Sequence, residues 1–304
     1  VATGKLTPLT PRGGADPLVA PTPVPEIDRV AYRQAQFSTD GKSVYLTSDR
    51  ESEFQRLAVL DLATQKVEYL TTAIKWDVDS FELSRDGRTI ALVTNEDGVG
   101  VLQLMDTRTR KLTRPKLPAG SVGGVRWHED NHTLGFSLVT ARSPLDVYAL
   151  DTRTGKAERW TESESAVATA DLPEPQLIRW KSFDGREISA FYYKPPTRFT
   201  GPRPVIVNIH GGPESQYRPG YLGRNNYFLT ELGAAMIFPN VRGSSGYGKS
   251  YLKLDNGERR EDSVKDIGAL LDHIKQQPEL DAGKVMITGG SYGGYMTLAS
   301  SVHF

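Results

Sequence analysis

Two kinds of hydrophobic pattern divide the chain. Between residues 37 and 161 the apolar positions come in short stretches closed by Asp-containing turns, and one such unit recurs three times. The copies open with Phe37-Ser38-Thr39-Asp40-Gly41, Leu83-Ser84-Arg85-Asp86-Gly87 and Trp127-His128-Glu129-Asp130-Asn131. Their later turns begin at Asp61, Asp106 and Asp151, 45 residues apart in both intervals, and each runs through Thr to Lys. Four short strands per unit, joined by such turns at this period, read as blades of a β-propeller. A meandering β-sandwich is the competing reading, but it does not require both turn signals to recur in register. Thr3-Gly4-Lys5-Leu6-Thr7 matches the end of the same unit, and Pro8 to Pro25 reads as a long irregular connection. The chain is therefore expected to open inside a blade, away from a natural N-terminus. About three and a half blades would be present, too few for the roughly four to eight of a closed ring.

After a Ser, Glu, Ala and Pro mixture without periodicity, the pattern changes. Ile178 to Trp180 and Ile188 to Tyr193 flank an Asp184-Gly185 turn as a hairpin. Val205-Ile206-Val207-Asn208-Ile209, Met236-Ile237-Phe238 and Val285-Met286-Ile287 are continuous apolar runs of the kind found in strands covered on both faces. Between the last two, Val264, Ile267, Leu271 and Ile274 fall at helical spacing, with Asp262 or Ser263 placed to cap the helix. Buried strands alternating with amphipathic helices predict a parallel α/β sheet. The expected division is a partial β-propeller over 1–165, a linker over 166–175 and an α/β domain over 176–304.

Composition narrows this only a little. Lys plus Arg and Asp plus Glu both number 37, so bulk charge points to neither nucleic acid nor a membrane surface. The absence of cysteine excludes a disulfide framework, a thiol nucleophile and a thiolate metal site, and the five histidines lack metal-ligand spacing. No apolar run approaches the ~20 residues of a membrane-spanning helix. Localisation and oligomeric state stay open.

Chemistry concentrates at three segments. Gly289-Gly290-Ser291-Tyr292-Gly293-Gly294 stands between an apolar strand and a helix-compatible run, the order of a nucleophile elbow with Ser291 at its tip. Glycines at 289 and 293 remove the Cβ atoms that would collide where strand and helix nearly touch. A chain with 29 glycines produces such pentapeptides by chance, so the surroundings carry the weight. His210-Gly211-Gly212 follows the first buried strand, where a His-Gly-Gly loop lends a backbone N–H to an oxyanion hole; His210 is expected to shape that loop, not to act as base. Asn240 to Gly248 follows the second buried strand and sets Tyr247 among glycines.

Together these segments resemble the prolyl oligopeptidase family of serine peptidases, near its dipeptidyl-peptidase and acylaminoacyl-peptidase branches. The matching stretches are the Asp184-Gly185 hairpin, Val205 to Pro213, Pro239 to Gly248, and Gly289 to Met296. The resemblance implies a propeller capping an α/β-hydrolase, with oligopeptides cut in the cavity between them and no cofactor. It makes Ser291 the nucleophile, the Tyr292 N–H and the Tyr247 hydroxyl the oxyanion donors, and the Tyr292 ring a wall of the substrate pocket. In this fold the order is Ser, Asp, His, and His303 is the one histidine after Ser291. Twelve helical residues would carry it ~18 Å away, so the triad Asp and His are expected beyond residue 304. A carboxylesterase, or an inactive propeller-hydrolase that only binds, are the alternatives.

Overall fold

The computed structural model describes residues 30–165, 169–170 and 172–304. The expected blade remnant at 3–7, the connection at 8–25 and part of the linker lie outside them.

Three four-stranded antiparallel sheets come first, each with its strands in sequence order. They are β1 to β4 (Tyr32–Phe37, Ser43–Ser48, Arg56–Asp61, Val67–Tyr69), β5 to β8 (Asp77–Leu83, Thr89–Glu96, Val99–Asp106, Leu112–Thr113) and β9 to β12 (Ser121–Trp127, Thr133–Val139, Asp146–Asp151, Lys156–Arg159). The repeated turn residues explain the shared register. Asp61 and Asp106 each accept the N–H and hydroxyl of the Thr three residues on, at 2.6–2.8 Å, and Asp151 accepts the Thr154 N–H at 3.3 Å. Such side-chain closure lets the short polar residue stand in for a backbone turn. Neighbouring sheets share apolar layers: Phe81, Leu92 and Met105 pack with Tyr45 and Leu57, and Val93 and Leu102 pack with Leu134 and Phe136. The Trp127 indole N–H reaches across to the Glu82 carbonyl at 2.9 Å. These three sheets do not close into a ring among the described residues.

The fourth sheet has the order β13-β14-β16-β15-β17, with β13 Gln176–Lys181, β14 Glu187–Tyr193, β15 Arg203–Ile209, β16 Ala235–Asn240 and β17 Leu280–Gly289. It is mixed, not wholly parallel. Only β16, β15 and β17 run parallel, and the predicted hairpin β13–β14 joins antiparallel through β14 and β16. Strand β16 is buried along its whole length, as its continuous apolar run requires. β17 differs: among the described residues it pairs on one side only, and Met286 is 48% exposed.

Among the described residues four helices accompany this sheet: α1 Asn226–Thr230, α2 Lys249–Leu252, α3 Arg260–Lys275 and α4 Tyr292–His303. The expected cap of α3 is corrected, since the helix starts earlier, after a 3-10 turn, with Arg259 at the N-cap and no side-chain cap. Asp262 pairs with Lys265 one turn on, and the Ser263 hydroxyl donates back to the Arg260 carbonyl. The stripe also shifts by one residue. Ile267, Leu270 and Ile274 are fully buried, while Leu271 is half-buried against the same core. At ~1.5–3 kcal/mol for each such side chain, this face fixes α3 against the sheet and thereby the loops at its edge.

Candidate active site

The three glycine-bearing segments meet at one edge of the sheet. β16, β15 and β17 are adjacent and parallel, so the residues after each strand emerge together. Clefts at the carboxyl ends of parallel strands are where such sheets place their ligands.

β17 passes into α4 through Gly290 and Ser291. Ser291 has φ 54° and ψ −120°, a backbone state costly for any residue with a side chain. Contacts around it hold that state in place. A Cβ at Gly289 would lie 2.6 Å from the Ile209 carbonyl oxygen, and one at Gly293 2.1 Å from the same atom. Glycine at both positions lets strand, helix and the end of β15 touch backbone to backbone. Ser291 is exposed, and its hydroxyl has no hydrogen bond among the described residues. Tyr292 opens α4, so its N–H belongs to the first-turn donors that lack an intrahelical acceptor.

Gly211 faces the elbow, its Cβ position 3.4 Å from the Ser291 Cβ. His210 ties two loops: Nδ1 lies 2.7 Å from the Gly211 carbonyl and Nε2 2.8 Å from the Ser244 hydroxyl. Desolvation lowers its pKa, and Nδ1, facing a carbonyl oxygen, donates; the Ser244 hydroxyl in turn donates to the Val241 carbonyl at 2.6 Å. His303 ends α4 in an exposed position, a helix length from Ser291.

Tyr247 lies under the first two sheets. Trp76 meets its ring edge-on at 6.3 Å, and its hydroxyl contacts Asn240 Nδ2 at 2.8 Å and Ser189 Oγ at 3.0 Å. Burial first, and then the Asp97 charge, push this phenol well above its ordinary pKa. The Tyr292 ring turns its hydroxyl toward Asp255 and Ser263, both at 2.8 Å, and stacks on Tyr295 at 5.6 Å. Burial raises its pKa to about 12.

Buried charges brace these loops. The Arg242 guanidinium, 3% exposed, reaches the fully buried Asp266 at 2.8 Å and Asp184 at 3.1 Å, and its backbone N–H also donates to Asp266. Burial raises the Asp266 carboxyl while Arg242 and Ser182 pull against it. Asp255, also buried, pairs with Arg260 at 2.8 Å under Gly243. At φ +91°, a Cβ on Gly243 would stand 2.3 Å from the Asp255 carboxyl carbon.

The first two sheets reach the same edge through polar contacts. Asn95 donates to Gln216 at 2.8 Å, Arg218 pairs with Asp79 at 2.6 Å, and Asp97 takes Arg179 and Ser189. Glu53 accepts from the Ser250 N–H at 2.9 Å. Sequence reasoning singled out none of Asn95, Asp97, Ser189, Gln216 and Asn240 as site residues. Only Asn240 carried a signal, its place beside the Tyr247 loop.

Comparison with known proteins gives this geometry relatives. Residues 221–303 match the prolyl oligopeptidase family profile. Dipeptidyl-peptidase 5 of Porphyromonas gingivalis is 25% identical over 267 residues, covering 86% of this chain and 39% of its own length. Dipeptidyl aminopeptidase BIII of Pseudoxanthomonas mexicana is 25% identical over 285 residues, covering 90% and 41%. The crystal structure of a puromycin hydrolase superposes with a TM-score of 0.79 at 27% identity, over 89% of this chain and 42% of that one. The chain thus spans about two fifths of the length of each.

Proposed function

From the premise that the chain belongs to the prolyl oligopeptidase family, we propose that it carries the nucleophile of a serine peptidase that cuts short peptides. The observation that carries this reading is the Ser291 turn: an exposed hydroxyl on a strained φ of 54°, held by glycines that no larger residue could replace. In the proposed reaction Ser291 Oγ attacks the scissile carbonyl carbon as a base takes its proton, and the C–N bond breaks as that proton passes to the departing amine, leaving the acyl-enzyme. The Tyr292 N–H and the Tyr247 hydroxyl stabilise the oxyanion, and water then frees the acyl group. Gly211 and Gly212, held by His210, shape the adjoining wall, and the Tyr292 ring borders it.

The first three sheets are read as part of a propeller and the fourth as part of an α/β-hydrolase. Loops around Glu53, Trp76 and Asp97 stand against β13, β14 and the loops that follow β15 and β16, so substrates enter as extended peptides and folded proteins are spared. No described residue is hydrogen-bonded to Ser291 Oγ, and His210 is committed elsewhere. Residues 1–304 by themselves are accordingly proposed to be inactive, the base being supplied by another part of the full-length protein.

Labelling with a fluorophosphonate tests the reading. The full-length protein should take up one label, lost in Ser291→Ala along with hydrolysis of a fluorogenic dipeptide. Labelling at another residue, or hydrolysis that survives the substitution, would remove Ser291 from the role.

A further inference from the structure

The hydrogen bonds around Tyr247 have directions that the chemistry of their ends imposes. Asn240 is fully buried; its Oδ1 accepts the Tyr217 N–H at 2.7 Å and its Nδ2 donates to the Tyr217 carbonyl at 3.1 Å. These two backbone contacts fix which end of the amide is which. The NH2 group therefore faces Tyr247, and the phenol oxygen accepts from it at 2.8 Å. At the other end Asp97, in the turn between β6 and β7, carries an acceptor-only carboxylate that takes Arg179 and the Ser189 hydroxyl, the latter at 3.2 Å. Ser189 has one proton and gives it to Asp97. In its 3.0 Å contact with Tyr247 it is then the acceptor of the tyrosine's proton, with the Asp97 and Gln216 side chains also close to the phenol. The chain runs Asn240 to Tyr247 to Ser189 to Asp97, from the fourth sheet into the second.

We propose that Ser189, oriented by Asp97, is a positioning residue that occupies the Tyr247 proton while the site is empty and competes with the oxyanion for it during acylation. This rests on the reading of Tyr247 as an oxyanion donor. A buried phenol proton without a partner is costly, so the serine stabilises the free enzyme. The oxyanion is a charged acceptor and the stronger one, and it takes the proton over. Whatever the Ser189 contact contributed to the ground state alone is then added to the barrier. Asn240 does not compete, since it donates to the phenol oxygen in both states and polarises the O–H bond. The arrangement also couples the two parts of the molecule, because the orientation of Ser189 depends on a carboxylate from the second sheet.

The test uses the full-length enzyme and single-turnover acylation by a fluorogenic peptide. Ser189→Ala and Asp97→Asn are made alone and combined with Tyr247→Phe. Ser189→Ala removes the competing acceptor, and Asp97→Asn releases the serine from its enforced orientation. Each should speed acylation by about three- to tenfold with KM within about twofold, and Ser189→Ala should lower the melting temperature. Ser189→Thr keeps the hydroxyl and should retain the wild-type rate. In the Tyr247→Phe background neither substitution should change the rate, because the proton they act through is gone. Slower acylation by Ser189→Ala, or an equal change with and without the Tyr247 hydroxyl, would overturn the proposal while leaving the peptidase reading intact. A wild-type enzyme that does not label at Ser291 would overturn that reading itself. If Asp97→Asn unfolds through loss of Arg179, the Ser189 pair decides alone.

Discussion

One added methyl group separates the steric account of the elbow from a merely statistical one. In Gly293→Ala the new carbon would lie 2.1 Å from the Ile209 carbonyl oxygen, 2.9 Å from its carbon and 3.0 Å from the His210 oxygen. All three are backbone atoms, so no side chain can swing aside. Relief requires α4 and the end of β15 to part by about 1 Å, and close-packed interiors do not absorb such a shift freely. Overpacking of this kind costs ~1–3 kcal/mol. Alanine's helix preference over glycine returns up to ~1 kcal/mol, leaving a net loss of ~0–2 kcal/mol when that preference is fully realised. A displacement of about 1 Å would also carry Ser291 away from the carbonyl it is proposed to attack and should lower kcat by ~10²-fold. Gly294→Ala is the control. There the added carbon meets only the Gly289 oxygen, at an ordinary 3.5 Å, so helix preference should raise stability by up to ~1 kcal/mol with activity retained. Urea denaturation and fluorogenic peptide hydrolysis by the full-length variants supply both readouts. Equal stability and rate for Gly293→Ala and wild type, or equal damage from both alanines, would refute the steric argument.

Tyr247→Phe should lower kcat by ~10²–10³ with a smaller change in KM; an unchanged single-turnover rate would pass the second oxyanion donor to a backbone N–H of Gly211 or Gly212. Arg242→Met strands Asp266 without its partner and should cost ~3–5 kcal/mol in chemical denaturation, and a loss below ~1 kcal/mol would show that the pair is not a brace. At Asp146, hydrogen bonds from Ser143, Thr161 and Ser163 outweigh burial and lower the carboxyl from 3.8 to about 2. Its contribution is full above pH 3.8 and fades as the pH falls through about 2. The stability gap between wild type and Asp146→Asn should close across that window, and a gap unchanged at the acid end would contradict the assignment.

What the sequence reveals here is what acts over short distances along it. Asp61 closes its own turn three residues away, and Gly289 is needed in part because a strand and the helix that follows it touch, its Cβ position lying 2.6 Å from the Gly293 carbonyl carbon. Such causes leave a local spelling. The continuous run Met236-Ile237-Phe238 likewise becomes a strand buried on both faces. Causes that act between distant residues leave none: Asp97 and Ser189 are 92 positions apart. Arg242 and Asp266 read as ordinary surface charges until the sheet and α3 enclose them. The α3 stripe shows an intermediate case. Its period predicts a helix, but tertiary packing selects Leu270 over Leu271 for the deepest position and starts the helix at Arg260, before either proposed capping residue.

Strand order also sets how this chain must assemble. Each of the first three sheets pairs strands that follow one another, so the first is complete between Tyr32 and Tyr69 and can form from local contacts alone. The fourth cannot. The hairpin β13–β14 pairs with β16, which arrives after β15, and β15 must lie on the far side of that later strand. Until Asn240 has been synthesised the hairpin has no neighbour and β15 has nothing beside it, so their apolar faces wait exposed. Long-range pairing of this kind is slow and open to aggregation. Among the described sheets, the edge that carries Ser291 is built on the last strands to pair and is therefore the last to acquire its geometry.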